Sequence, residues 1–349
     1  MSQPARSLRM RRNRSSLSAM DPIVDGHLDL AYLAERGVDL RSPTNDPAKA
    51  CVNLPALAAG GVRLALATIF TESIDEARDP DAWEYRGIAD VEGARRAGMR
   101  QLARYHELER DGKIRIVRRR GDLEPLDDAG PLRVVILIEG ADPVADADDL
   151  AHWVEGGVRL AALAWAKGSR FSGGNAAPGP LTRAGRELLA SMASLGVVLD
   201  CSHLSDESFD EALDRFPGRV VASHSNCRAL LEPSERHLRD DQIRRLADRD
   251  GVIGLNLYGR FLASGRAATI DDAVRHATRL RDLAGATRVG LGSDFDGGFT
   301  PMECPEGLRR PEDLRALGAA LRAAGFREDE IRSFASESWL RLLRHALPR

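Results

Sequence analysis

Six side chains able to ligate a metal or carry a proton stand at the ends of apolar runs in this 349-residue sequence. The first run closes on Asp25-Gly26-His27-Leu28-Asp29. Its His27 and Asp29 alternate with Leu28, so an extended backbone presents both to one side. Glu139 follows directly on the apolar residues 134–138. His203 ends Val-Val-Leu-Asp-Cys-Ser-His and His224 ends Val-Val-Ala-Ser-His. Asp294 ends Val-Gly-Leu-Gly-Ser-Asp, with Asp296 just beyond it. A charge on an otherwise apolar strand is costly unless it is paired, hydrogen-bonded or bound to a metal. Imidazole and carboxylate are the ligands that suit zinc and similar divalent ions. Two histidines, an H-x-D pair and one carboxylate able to bridge suffice for two ions. Such ions sit about 3.5–4 Å apart and hold a water or hydroxide between them. Asp294, a carboxylate not consumed by ligation, is then the candidate for moving the proton.

Taken singly, each residue has an ordinary reading. A histidine at a strand end is commonly a hydrogen-bonded structural group, and a lone glutamate commonly caps a helix or pairs with a cation. Six such groups at the same end of separate runs call for one shared explanation, a metal-dependent active site. His106, His276 and His345 fall within helical patterns and read as surface or packing residues, and His152 receives no role.

The ends of the runs must converge for this to work. Short apolar runs, several of them β-branched, recur at 23–25, 62–70, 133–138, 158–164, 197–201, 220–223, 252–257 and 289–292, as strands buried on both faces do. Between them lie amphipathic stretches at 88–110, 181–195 (with Thr182 as cap), 205–213 (opening Ser-Asp-Glu), 240–249, 271–284 and 311–324. Eight strands alternating with helices predict an α/β fold, a parallel (β/α)8 TIM-type barrel, whose catalytic groups sit just past the C-terminal ends of the strands. Residues 41–53 and the Gly/Pro-rich 173–180 read as loops.

Composition excludes several function classes. Fifty Lys+Arg against 53 Asp+Glu leave a net charge of −3, which gives no field to attract nucleic acid or an anionic membrane. Cys51, Cys201, Cys227 and Cys304 contain no C-x-x-C, against a disulfide framework or a thiolate zinc knuckle. No apolar run approaches the ~18 residues of a membrane span. The opening MSQPARSLRMRRNRSSLSAM is basic and Ser-rich without the apolar core of a signal peptide. It reads as a disordered tail over 1–20 ahead of a single barrel domain over 21–349, and the expected location is the cytoplasm.

The segments DGHLDL, LIEGAD, LDCSHLS, ASHSNCRAL, RHLRDDQI and VGLGSDFDGG resemble, in order, spacing and context from Val24 to Leu343, the membrane (renal) dipeptidase family of zinc metallopeptidases. The resemblance implies a barrel hydrolysing dipeptides with a binuclear zinc site and a metal-bridging hydroxide. It implies that His27 and Asp29 bind one Zn2+, that Glu139 bridges, and that His203 and His224 hold the second. By the same resemblance Asp294 is the catalytic acid/base and Arg236 receives the substrate's carboxylate, a task suited to a bidentate guanidinium. The implied partner is a small dipeptide, and homodimers are common among such barrels. One departure stands out: Trp165 occupies the place where the family carries a substrate-contacting histidine. Indole offers a single N–H and cannot become cationic, so oxyanion stabilisation by imidazole is lost or supplied otherwise, with Lys167 or Arg170 as stand-ins. His237 likewise replaces an asparagine. The alternatives are a binuclear hydrolase of the same barrel acting on another small amide or a lactone, with a carboxylated Lys167 as a rival bridge, and a catalytically silent metal-binding protein.

Overall fold

The computed structural model describes residues 20–42, 50–74, 79–126 and 130–349, and in it the eight apolar runs are eight parallel strands closed into a barrel. They are β1 (Ile23–Leu28), β2 (Val62–Phe70), β3 (Leu132–Glu139), β4 (Val158–Ala162), β5 (Val198–Asp200), β6 (Val220–Ala222), β7 (Val252–Leu255) and β8 (Val289–Leu291). The hydrogen-bonded order is β2-β1-β8-β7-β6-β5-β4-β3, and β3 closes the cylinder on β2 with a register running from Leu64↔Arg133 to Phe70↔Glu139. The expected (β/α)8 architecture is therefore present. Most strands stop short of the apolar runs' ends, because the polar residues after them leave the ladder to turn over the barrel mouth.

Several of the helices between the strands begin where side-chain oxygens cap them. Thr182 Oγ1 accepts from Gly185 N at 3.0 Å ahead of the helix Arg183–Leu195, and Ser205 caps Asp206–Arg215. Outward-facing strand residues and the helices share one large core. Inward-facing Val24, Leu64, Leu66, Val135, Leu137 and Leu160 form a second core with the C-terminal helix Ser338–Ala346, whose Trp339 is fully buried. That helix plugs the floor of the barrel.

Two expectations need amendment. Residues 173–180 belong to an antiparallel hairpin, Ser172–Gly174 with Ala177–Leu181. Glycines there permit a backbone approach that a side chain would block, since a Cβ on Gly173 would collide with Gly179. Residues 1–19 of the tail and 43–49 of the loop at 41–53 lie outside the described residues, but Met20, assigned to the tail, is buried against Gly318. Among the described residues, no helix is long and apolar enough to cross a membrane.

Candidate metal centre

The side-chain period of two carries each strand from floor to mouth. On β3, Val135 and Leu137 face inward, and Glu139, next in that series, does the same at the top. On β1 simple alternation would fail. A β-bulge between Asp25 and Leu28, where Asp25 pairs with Ala65 and Leu28 with Ala67, inserts one extra residue. The bulge reverses the parity of the strand, so that Ile23 and Leu28 both lie in the outer core while His27 and Asp29 face the mouth. His203 and Asp294 take left-handed backbone conformations, with φ of 64° and 58°. Such values are uncommon for residues with a side chain and recur where function holds the chain in place.

All six expected chemical groups meet at this end. Glu139 Oε1 lies 3.1 Å from His203 Nε2 and 3.3 Å from His224 Nε2, and Glu139 Oε2 lies 3.4 Å from His27 Nε2. The two oxygens of one carboxylate thus face two different sets of nitrogens. His27 Nε2 is 3.7 Å from Asp29 Oδ1, to which the Thr68 hydroxyl donates. Ligand atoms of Glu139, His203 and His224 fall within 4.8 Å of one another, as do those of His27, Asp29 and Asp294. The set fits divalent cations. His203 Nε2 and His224 Nε2 face each other at 2.9 Å, and the buried His27 Nε2 has no hydrogen-bond partner. Two opposed imidazole nitrogens and an orphaned third are explained by cations between them and Glu139.

Electrostatics follow the crowding. Burial and then the Glu139 charge push Asp29 well above its usual range. Asp294 is pushed up to about 6, chiefly by burial, with His27 acting against it. Burial pushes Glu139 upward too, but His27 and the other two imidazoles outweigh it and hold the carboxyl well below its ordinary value. Burial lowers the His203 imidazole to about 4, helped by the Arg236 cation. Desolvated groups shifted in opposite directions within one cleft mark a chemically active site.

The remaining expected residues are placed as follows. Trp165 lines a cavity of about 370 Å³ above the cluster, its ring edge-on to Phe70 at 5.1 Å and 5.9 Å from His203. Arg236 is buried behind His224, donating to His224 O at 2.8 Å and Ser225 Oγ at 3.3 Å, with its Nε unpartnered. It does not line the cavity itself, but stacks on Phe261, which does. The stand-ins for the missing histidine are committed elsewhere. Lys167 pairs with Glu72 at 2.7 Å on the rim, half exposed, and Arg170 donates to the carbonyls of Asp142, Val144 and Ala145. With its ammonium on Glu72 and the Ser73 carbonyl, Lys167 does not stand in the bridging place, which Glu139 takes between the imidazoles. His276 is a packing residue, fully buried with Nδ1 on Cys227 N.

Several functional groups escaped the sequence reading. Asn256 Nδ2 donates to Asp294 Oδ2 at 2.8 Å, and Asn175 Oδ1 meets His203 Nδ1 at 2.9 Å. Asp25 and Asp200, both fully buried, accept backbone N–H groups beside the site. Asn256 continues the inward parity of β7 and could have been found that way. Asn175 reaches the site through the hairpin that was read as a loop.

Comparison with known proteins bears on the family and the fold. A family model described as membrane dipeptidase (peptidase family M19) matches residues 11–347. Over 248 residues, 67% of this chain and 89% of the relative, the sequence is 32% identical to a Klebsiella pneumoniae protein described as "Uncharacterized protein in pqqA 5'region". The crystal structure of a protein described as dipeptidase AC, a metallopeptidase, covers 95% of this chain and 100% of its own, at 26% identity and a TM-score of 0.81. That of a Rhodobacter sphaeroides metallopeptidase liganded with a phosphinate mimic of the dipeptide L-Ala-D-Ala covers 93% of this chain and 99% of its own, at 27% identity and a TM-score of 0.79.

Proposed function

This chain belongs to the membrane dipeptidase family, and from that premise we propose that it is a zinc-dependent dipeptidase whose two ions are held by His27, Asp29, Glu139, His203 and His224. The observation that carries the reading is the division of labour within Glu139, one oxygen toward His203 and His224 and the other toward His27. The bound ions supply Lewis acidity, polarising a carbonyl and acidifying water near neutral pH.

The chain's own residues supply the rest. Asp294, fixed by Asn256 Nδ2 and pushed up to about 6 chiefly by burial, is suited to take a proton from the attacking water and return it to the leaving amine. Arg236 has no carboxylate bonded to it among the described residues and stands behind the Phe261 wall of the cavity, and the family resemblance assigns it the substrate's terminal carboxylate. The cavity walls carry Glu303, which favours the ammonium end of a short peptide, and Tyr32, Phe70, Trp165, Tyr258 and Phe261, which favour apolar side chains. The phosphinate dipeptide mimic held by the R. sphaeroides relative supports the substrate class. By the family resemblance Trp165 brings a neutral indole to the place where a cationic imidazole would steady developing negative charge, so slower peptide hydrolysis is expected here than in a relative with histidine there.

The test measures metal content and dipeptide hydrolysis together. Near two equivalents of zinc, hydrolysis of a dipeptide panel, and a loss of about 10²–10⁴ in kcat for Asp294→Asn with metal retained support the reading. Full activity in Asp294→Asn, or metal-free protein after loading with zinc, would overturn it.

A further inference from the structure

The geometry points to Ser223 as a positioning residue that couples the two halves of the metal centre, its hydroxyl serving as the one acceptor shared by a histidine from each half. The inference rests on the metal-centre reading above and adds to it a residue without ligand chemistry of its own.

Ser223 follows the strand β6 and is fully buried. Its Oγ lies 3.0 Å from His27 Nδ1 and 2.8 Å from His224 Nδ1. The two rings stack over one another, with centroids 3.6 Å apart and 28° between their planes. His27 belongs with Asp29 and Asp294, whereas His224 belongs with His203, so this single oxygen touches both groups.

A neutral imidazole that turns a bare Nε2 toward a cation carries its proton on Nδ1, and that N–H needs an acceptor. Two such protons converge on Ser223 Oγ. A hydroxyl oxygen has two lone pairs and can accept both, provided its own proton goes elsewhere. The structure offers an outlet in Ser202 Oγ, 3.4 Å away. A ring nitrogen of each histidine and an Asp200 oxygen fall within 4.8 Å of one another, and Asp200 Oδ1 meanwhile holds Ser202 N at 3.0 Å and Ser223 N at 2.9 Å.

The position is also rigid. A Cβ built on Gly254 or on Gly292 would collide with the Ser223 carbonyl oxygen, so β7 and the end of β8 press on this residue with bare backbone. His203 stands apart, since its Nδ1 has a private acceptor in Asn175 Oδ1 at 2.9 Å. The arrangement therefore separates two effects: loss of Asn175 frees one ring of one half, and loss of Ser223 frees one ring in each.

The experiment is a zinc titration of apoprotein against a chromogenic chelator, for the unaltered chain, Ser223→Ala and Asn175→Ala. Expected is a weakening of both binding steps by about 10–100-fold in Ser223→Ala and of one step in Asn175→Ala, with the metal-free proteins still folded by circular dichroism. Unchanged zinc affinities in Ser223→Ala, or weakening of a single step, overturn the inference while leaving the metal centre standing. An unaltered chain that binds no zinc removes both. Should Ser223→Ala fail to fold, long-range proton–nitrogen NMR on the unaltered zinc-loaded protein decides. Protons on Nδ1 of both His27 and His224 support the shared acceptor, and a proton on Nε2 of either overturns it.

Discussion

At the floor of the barrel, Val135 and Leu137 of β3 pack with Trp339 in an apolar cluster. At the top of the same strand, Glu139 faces three imidazoles, equally buried. The floor is satisfied by its own contacts: the Trp339 indole donates to Leu291 O at 2.8 Å, and its ring fills space left by Gly26 and Gly290. The mouth is left incomplete, with opposed nitrogens, orphaned His27 Nε2 and Asp296 oxygens, and two residues in left-handed backbone. One end of the cylinder is built for stability and the other stores unmet coordination, which is what a site for cations and substrate requires.

Substitutions at the two ends separate these roles. The largest effect is expected at the mouth. Glu139→Gln withdraws the carboxylate from both sets of nitrogens and should lower dipeptide hydrolysis by about 10⁴-fold or more, with zinc falling below one equivalent by elemental analysis. Trp339→Ala opens the floor and should cost about 3–5 kcal/mol in urea-induced unfolding, while the protein that remains folded still takes up zinc. Loss of zinc by folded Trp339→Ala would mean that the ends are not independent.

A third test lies at the rim. Burial pushes the Asp142 carboxyl up to about 6, against the opposing pull of the Tyr85 hydroxyl and Arg170. Its folded value lies above the unfolded one of about 4, so the folded chain keeps a proton that the unfolded chain releases. Stability from this group therefore falls as pH rises from about 4 to 6 and stays lower above that window. Asp142→Asn should flatten the decline and be more stable at pH 7 by roughly 2 kcal/mol, measured by urea unfolding at pH 4.5 and pH 7. A decline as steep as in the unaltered chain would refute it.

The smallest effect belongs to the outer helices, where Arg245 bridges Asp210 at 2.7 Å and Asp214 at 2.6 Å on the surface. Arg245→Ala should change stability by no more than about 1 kcal/mol, because water already solvates these charges. A larger loss would show that the outer charge lattice, and not only the floor, holds the barrel.

Much of the site was legible because chemistry-bearing residues interrupt apolar runs, and a run fixes where a strand ends. Glu139 after residues 134–138 and Asp294 after Val-Gly-Leu-Gly-Ser could be placed at the barrel mouth on that ground alone. Residues 173–180 were misjudged since glycine and proline signal a turn equally well in a loop and in an edge hairpin. The fates of Lys167 and Arg170 were invisible, because a long cation goes to whichever partner the fold brings near.

What the linear order of residues determined was the barrel, from eight alternating runs and helices, and the identity of the groups gathered at one end of it. Their convergence followed from parallel strands all ending on the same side. Which face His27 and Asp29 present was decided in three dimensions, by a one-residue bulge in β1 that reverses the alternation of the strand. Tertiary structure also decided that the Ser223 hydroxyl lies between two rings almost two hundred residues apart in sequence, within hydrogen-bonding distance of each. Local pattern sets the direction of a side chain only as long as the register with its neighbours is unbroken. Contacts between distant segments exist only once the cylinder has closed.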